Sequence, residues 1–356
     1  MFGIFLFGCA QMSSPVAPAV RPTLGVALPL SGPDAALGKA ALDGVTLAAG
    51  AEIDVLPVDD AVPGAAATLA ANPVVFGVVA HVLRKPAEAQ ADTWLATDLP
   101  VVVAAPGDFR GLPRVVPPIE DSARCASTFL EDDFWVRTDG STSGMVAGRT
   151  LLDTLPYRAL GSDTVDAAHM GGQAARVTGR NAFTVAWTGD AATGGNFLRA
   201  MRQVGSDAPF VGVGLYDPRF LTAAGKSAEG ARVTSLGRPA RDRAFLDAYT
   251  ARHGTAPLGA AVDAYEAATL LVSAWRAASA TTRAQNVPLT RAEVRAALNT
   301  VVADGANGPM YLDGEGVLQP VLCASFVVKD GGFVVDRIAS EADALLETAE
   351  ADGRRR

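Results

Sequence analysis

Residues 24–49 read LGVALPLSGPDAALGKAALDGVTLAA, and this stretch decides the fold class. Leu24 to Leu30 is a short apolar run that ends in the turn cluster Ser31-Gly32-Pro33-Asp34, the pattern of a buried strand running into a helix start. Leu37, Ala41, Val45 and Ala48 follow at helical spacing. The strand–helix unit then repeats. Asp54–Val58 is predicted as a second strand, Val74–Val79 as a third, Ala87–Ala96 as a helix and Pro100–Ala104 as a fourth strand. Alternation of this kind implies a parallel sheet covered by helices on both faces. Pro57 cannot donate to a ladder, which puts the second strand at an edge, as in a doubly wound 2-1-3-4-5 order.

Further along, Gly111–Asp133 breaks the rhythm and reads as an inserted loop carrying Cys125. Phe134–Arg137, Ala182–Trp187 and Phe210–Gly214 read as strands, and Ser143–Leu155 and Gly195–Val204 as helices. Residues 156–181 show no clear strand. Arg243–Arg252 and Ala260–Ala278 are helical, and Thr290-Arg-Ala-Glu293 is a capping box opening another helix. Met310–Asp313 and Cys323–Val335 read as late strands, and Arg337–Asp352 as a solvated acidic helix. The strand count exceeds one compact sheet, so two α/β units are expected.

Composition narrows the function. The chain has 356 residues and a net charge of −8, with no basic excess to meet a phosphate backbone, so nucleic acid is not an expected partner. Three His, and three Cys at 9, 125 and 323, show no zinc spacing, and no metal or other cofactor is expected. No run of about 20 apolar residues occurs, so no segment is expected to span a bilayer as a helix. The motifs of a nucleophile elbow, a dinucleotide fold and a P-loop lack their strand–turn–helix context or are missing, and no enzyme activity is expected. At the start, Leu6-Phe7-Gly8-Cys9 resembles a bacterial lipobox, and a Ser/Pro/Ala tether follows it. Cys9 is the expected lipidation site. The same stretch also fits an ordinary secretory h-region with a chance Cys.

The order of segments resembles the type I periplasmic solute-binding proteins, the leucine/isoleucine/valine-binding branch of the ABC-transporter receptors. The stretch 24–49 carries the resemblance together with PVDDAVPGAAA (57–67), VVFGVVAHVLRKPAEAQA (74–91), FWVRTDGSTSG (134–144) and TGDAATGGNFLRAMRQVG (188–205). GKSAEGARVT (225–234), AVDAYEAATLLVSAW (261–275) and GPMYLDGEGVL (308–318) complete it. It implies two doubly wound α/β lobes joined by a three-crossover hinge, with the ligand trapped in the cleft. The expected division is 1–22 signal and tether, 23–135 and 256–318 first lobe, 136–255 and 319–340 second lobe, and 341–356 acidic tail. Between Phe134 and Trp187 the second lobe reads as shortened by about one strand–helix unit. The resemblance sets the first and third crossovers side by side, near Cys125 and Cys323, which implies either a disulfide between them or two buried thiols.

The family's ligand grip maps onto altered residues. Ser31 follows the first strand. The loop after the third strand, hydroxyl-rich in the family, reads Ala80-His81-Val82-Leu83-Arg84-Lys85-Pro86, with two cations and a His expected to pack. The loop after the fourth reads Ala104-Ala105-Pro106-Gly107-Asp108, with Gly107 where the family has Thr. Asp190 stands where an aromatic is expected, Gly214 where an acid is expected, and Tyr216 lies just beyond. The resemblance therefore implies an exported receptor of an ABC uptake system for amino acids, amides or related polar solutes. It would be monomeric, in the periplasm or cell envelope, and attached to a membrane only through lipid. Arg84 and Lys85 would favour an anionic ligand. The alternative is a degenerate cleft in an envelope regulator or scaffold.

Overall fold

The computed structural model describes residues 21–107, 109, 111–178, 183–235, 242–257, 259–285 and 287–340. The first sheet is built from β1 (Thr23–Leu28), β2 (Asp54–Asp59), β3 (Val75–Ala80) and β4 (Val101–Val103), with α1 (Ala35–Ala49), α2 (Ala65–Ala71) and α3 (Arg84–Leu95) between them. Its strands are parallel in the order β2-β1-β3-β4. Pro57 pairs with Val26 from the edge strand, where its missing N–H faces no partner strand. β1 and β3 are buried throughout, which is why they read as continuous apolar runs rather than alternating ones.

The chain continues through α4 (Ile119–Ser127), β5 (Phe134–Thr138), α5 (Thr142–Thr154), β6 (Ala159–Thr164), α6 (Met170–Thr178), β7 (Thr184–Thr188), α7 (Ala191–Gln203), β8 (Phe210–Val213), α8 (Pro218–Ala224) and β9 (Arg232–Thr234). Then follow α9 (Arg243–His253), α10 (Gly259–Gln285), α11 (Arg291–Leu298), β10 (Ala303–Gly305), β11 (Gly308–Leu312), β12 (Leu318–Gln319), β13 (Leu322–Lys329) and β14 (Gly332–Ser340). The second sheet runs β14-β13-β9-β8-β7-β5-β6, parallel except for the β13–β14 hairpin at its end.

α10 returns to the first sheet, where Ala264, Ala267, Leu270, Leu271 and Ala274 share a core with Leu24, Val26 and Val45. The two helices touch closely because position 44 is glycine: a Cβ there would lie 2.2 Å from the Ala261 carbonyl oxygen. At the crossing between lobes, Arg114 bridges Val103 on one side and Val317 on the other. The first and third crossings therefore run side by side, and the middle one lies between β9 and α9.

Five sequence expectations change. Gly111–Asp133 is not a loop throughout, because α4 lies inside it and buries Ala123, Cys125 and Ala126. These small residues carry little apolar signal. Ala123, Ala126 and Leu130 pack with Phe134, Val136 and Leu151, so the segment from α4 to residue 135 joins the second lobe, not the first. Conversely, α9 packs through Phe245 and Tyr249 on Ala261, Val262 and Ala40, so residues 242–255 join the first lobe. Arg337–Ser340 end β14 instead of starting a helix, and the rest of the acidic tail lies outside the described residues. Residues 156–181, where no strand is legible in the sequence, hold β6 and α6, so the strand–helix unit that reads as missing between Phe134 and Trp187 is present.

Cys125 and Cys323 form a disulfide, with 5.8 Å between their Cα atoms. It lies inside the second lobe beside Phe129. Cys125 thus follows the first crossing instead of preceding it.

Candidate ligand-binding cleft

The carboxyl ends of the parallel strands in both sheets meet at one cavity, the usual place for ligands in open α/β sheets. It measures about 110 Å³ and takes Arg84 and Pro106 from the first lobe. The second lobe contributes Ser143 and Gly144 at the start of α5, Thr188 and Gly189 after β7, and Val213 and Gly214 after β8.

The first-lobe side is set by a buried chain of three residues. His81 is fully buried and has φ of +55°. Its Nδ1 lies 2.8 Å from Asp60 Oδ2, and its Nε2 lies 2.9 Å from Trp94 Nε1. An indole N–H can only donate, so Nε2 accepts, and Nδ1 carries the proton that it donates to Asp60. This ties the turn after β3 to the end of the edge strand and to the last turn of α3. Arg84 is the first residue of that helix. Its Nε donates to the Glu88 carboxylate one turn on. Its Nη1 is buried and has no hydrogen-bonding partner among the described residues.

Lys85, next in sequence, points elsewhere. It is exposed and lines an outer groove between α2 and α3 with Asp60, Ala66 and Gln90. The structure therefore separates the two cations. In the loop after β4, Ala105 is fully buried and Gly107 has φ of +150°. A Cβ at Gly107 would lie 2.6 Å from the Phe109 ring. Asp108 lies outside the described residues, as does Cys9.

The second-lobe side is organised by Asp139. Its Oδ1 accepts from the Ser141 N–H at 3.0 Å and the Ser141 hydroxyl at 2.6 Å, and its Oδ2 accepts from the Asp190 N–H at 2.8 Å. Ser141 Oγ in turn accepts from Gly144 N at 3.1 Å and caps α5. Thr188 is fully buried, and its hydroxyl has no partner among the described residues. Asp139, Ser143 and Thr188 were not singled out in the sequence. The quoted stretch FWVRTDGSTSG holds the first two as an ordinary cap pattern, and nothing local marks Thr188.

The remaining expected residues do other work. Asp190 caps α7 by accepting from Thr193 N at 3.0 Å. Gly214 lines the cavity and donates its N–H to Thr234 Oγ1. The Tyr216 ring stacks 3.9 Å from Phe326 in the second-lobe core, and burial pushes its phenol up to about 12. Ser31 is exposed and bonds the Asp59 carboxylate. With the N–H groups of Ala61 and Leu30, that bond holds Asp59 below the ordinary carboxyl value. Among the described residues, no group of three or more His, Cys, Asp or Glu could hold a metal ion, and no helix is long and apolar enough to cross a membrane.

The Arg84 Nη1 amino group and the Thr188 hydroxyl, both without partners among the described residues, and the positive end of α5 are the kinds of group that suit an anion. None of its described lining residues is a carboxylate, so an ammonium group would meet hydroxyl and carbonyl oxygens but no opposite charge among them.

Two α/β lobes, three crossings and a cleft at the strand ends define the class: the chain has the fold of the type I periplasmic binding proteins. The family described as periplasmic binding protein matches residues 159–332, and the fold implied by the sequence resemblance is the one observed. A leucine-binding protein from Thermotoga maritima is 18% identical, with 90% of this chain and 99% of that one covered and a TM-score of 0.77. A branched-chain amino acid transporter substrate-binding protein from Streptococcus pneumoniae, in complex with isoleucine, is 18% identical over 90% and 100%, with a TM-score of 0.74. A solute-binding protein of an ABC transporter from Rhodopseudomonas palustris BisB5, in complex with 3,4-dihydroxybenzoic acid, is 18% identical over 90% and 97%, at 0.72. No curated protein matches the chain.

Proposed function

We propose that this protein is an exported solute-binding receptor of an ABC uptake system that closes about its hinge on a small carboxylate. The observation that carries this reading is Arg84, which lines the cleft cavity and whose buried Nη1 has no partner among the described residues. Its mechanism is selection of a closed arrangement: a ligand that bonds Arg84 from one lobe and the α5 N-terminus and Thr188 from the other favours the state in which both reach it. It performs no chemistry and needs no cofactor. A permease is its expected partner, the periplasm or envelope its location and a monomer its working state, with a lipid on Cys9 holding it to a membrane. Replacing Cys9 by Ser should move the protein from the detergent phase to the aqueous phase; equal partitioning removes the anchor from this reading.

The relatives' ligands, isoleucine and a dihydroxybenzoate, share a carboxylate. Here the absence of a carboxylate among the described lining residues favours acids without an ammonium group. Titration calorimetry should show a simple monocarboxylate binding at least tenfold more tightly than leucine, isoleucine or valine. Arg84→Gln should weaken that binding about tenfold or more, since a charge-assisted bond is worth roughly 1.5–3 kcal/mol. Lys85→Gln should leave it unchanged. Sub-micromolar binding of a branched-chain amino acid overturns the ligand assignment. A second reading, a scaffold with a degenerate cleft, draws on the cavity's 110 Å³, below the roughly 300–1,000 Å³ usual for ligand sites. It gains if no carboxylate or amino acid binds.

A further inference from the structure

Arg219, the second residue of α8, belongs to the second lobe, while Asp34 follows β1 in the first. The two meet across the cleft, with Arg219 Nη1 3.6 Å from Asp34 Oδ1. The guanidinium is already oriented before any contact with the first lobe. Asp217 caps α8, accepting from Arg219 N at 2.8 Å on Oδ1 and from Nε and Nη2 at 2.9 and 2.7 Å on Oδ2. That fork uses one side of the guanidinium and leaves Nη1 projecting between Asp34 and Asp190, each 3.6 Å away. Asp190 is itself fixed as the cap of α7. Three carboxylates therefore surround one cation, two of them on its own lobe and one on the other. Neither Arg219 nor Asp34 lines the ligand cavity.

We infer that Arg219 and Asp34 form an interlobe latch that sets ligand affinity from outside the ligand cavity. The inference rests on the hinge-closure reading above. The second lobe presents a preorganised cation, so the first lobe needs only to bring Asp34 to it, and little side-chain ordering accompanies closure. The two side chains are 44% and 31% exposed, so the strength of the contact is that of a partly solvated ion pair and falls with salt. Because a ligand that binds only the closed form has its apparent affinity scaled by the closed fraction, weakening the latch weakens binding without touching the ligand.

The decisive measurement needs no ligand. Spin labels at Asp92→Cys on α3 and Arg199→Cys on α7, in a Cys9→Ala background, report the distance between lobes. At about 10 mM salt, Asp34→Asn should lower the ratio of short to long distances roughly two- to fivefold, and about 500 mM salt should erase the difference. Asp34→Glu should restore the short population, and the double variant Asp34→Asn/Arg219→Gln should open no further than Arg219→Gln alone. Identical low-salt distributions for wild type and Asp34→Asn, or additive effects in the double variant, overturn the latch. If those distributions differ as expected while no solute binds, the latch stands and the receptor reading falls. If a carboxylate binds through Arg84 while the distances never change, the receptor stands and the latch falls.

Discussion

Each lobe builds its side of the cleft around a carboxylate that it keeps from the ligand, and the two do so differently. In the first lobe Asp60 is buried and bonded to a buried imidazole, which is bonded to a buried indole. In the second, half-buried Asp139 gathers two N–H groups and a hydroxyl from neighbouring loops. The first arrangement positions one long cationic side chain, and the second positions backbone and short hydroxyls. A long side chain needs a rigid root, because rotation at its base moves its tip several ångströms. Backbone groups at a capped helix start are already held by the helix. The second lobe also carries a covalent tie, the Cys125–Cys323 disulfide, whereas no disulfide joins described residues of the first.

The sharpest way to separate the lobes is to remove that tie. Replacing both cysteines with Ala should destabilise the second lobe by about 2–5 kcal/mol, since the bridge closes a long loop, its two cysteines lying 198 residues apart in sequence. Hydrogen exchange should rise in α4 and β13 and stay unchanged in β1 and β3. Equal rises in both lobes would show that they unfold as one unit. If two free thiols are instead found on denaturing the untreated protein, the tie itself is absent.

Next in size, His81→Ala leaves Asp60 and the Trp94 N–H buried without their partner, at a cost of about 3 kcal/mol or more. Asp139→Ala, at a half-buried loop, should cost about 1–2 kcal/mol. Chemical denaturation gives both numbers, and a reversed order would break the contrast drawn here. The smallest effect belongs to Asp59. Its carboxyl lies below its ordinary value of 3.8, chiefly through the Ser31 hydroxyl. A depressed folded value stabilises above the unfolded value and is lost as pH falls through the folded one. Wild type should therefore melt slightly higher than Asp59→Asn above about pH 4, and the two should converge in stronger acid.

What was legible in the sequence follows the same physics. β1, β3 and β4 are buried on both faces and announce themselves as Val- and Leu-rich runs, and Pro57 by itself places β2 at the edge. β6 was not legible because it is itself an edge strand, reading ALGSDT with mostly exposed positions. α4 was missed because Ala, Ser and Cys fill its buried face. At the cleft, Arg84 was visible as a cation after the third strand. The split between Arg84 and Lys85 was not, since a single step along a helix start turns a side chain from the cleft to the outer groove. Asp190 was read as a ligand residue, but its spacing to Thr193 is that of a helix cap. Thr188 matters only because α5 and β7 converge, a relation between distant segments that no local pattern carries. The lobe boundaries shifted for the same reason: α4 and α9 attach by packing, not by order in the chain.

The close approach of Gly44 to Ala261 also orders events in time. As the chain emerges, α1 is complete long before α10 exists, and the face that Gly44 opens on α1 has nothing to receive. The first lobe, begun first, cannot seal its core until roughly two hundred further residues, including most of the second lobe, have been made. Throughout that interval its early strands lack their covering helix, so a chain halted before α10 leaves one face of the first sheet open.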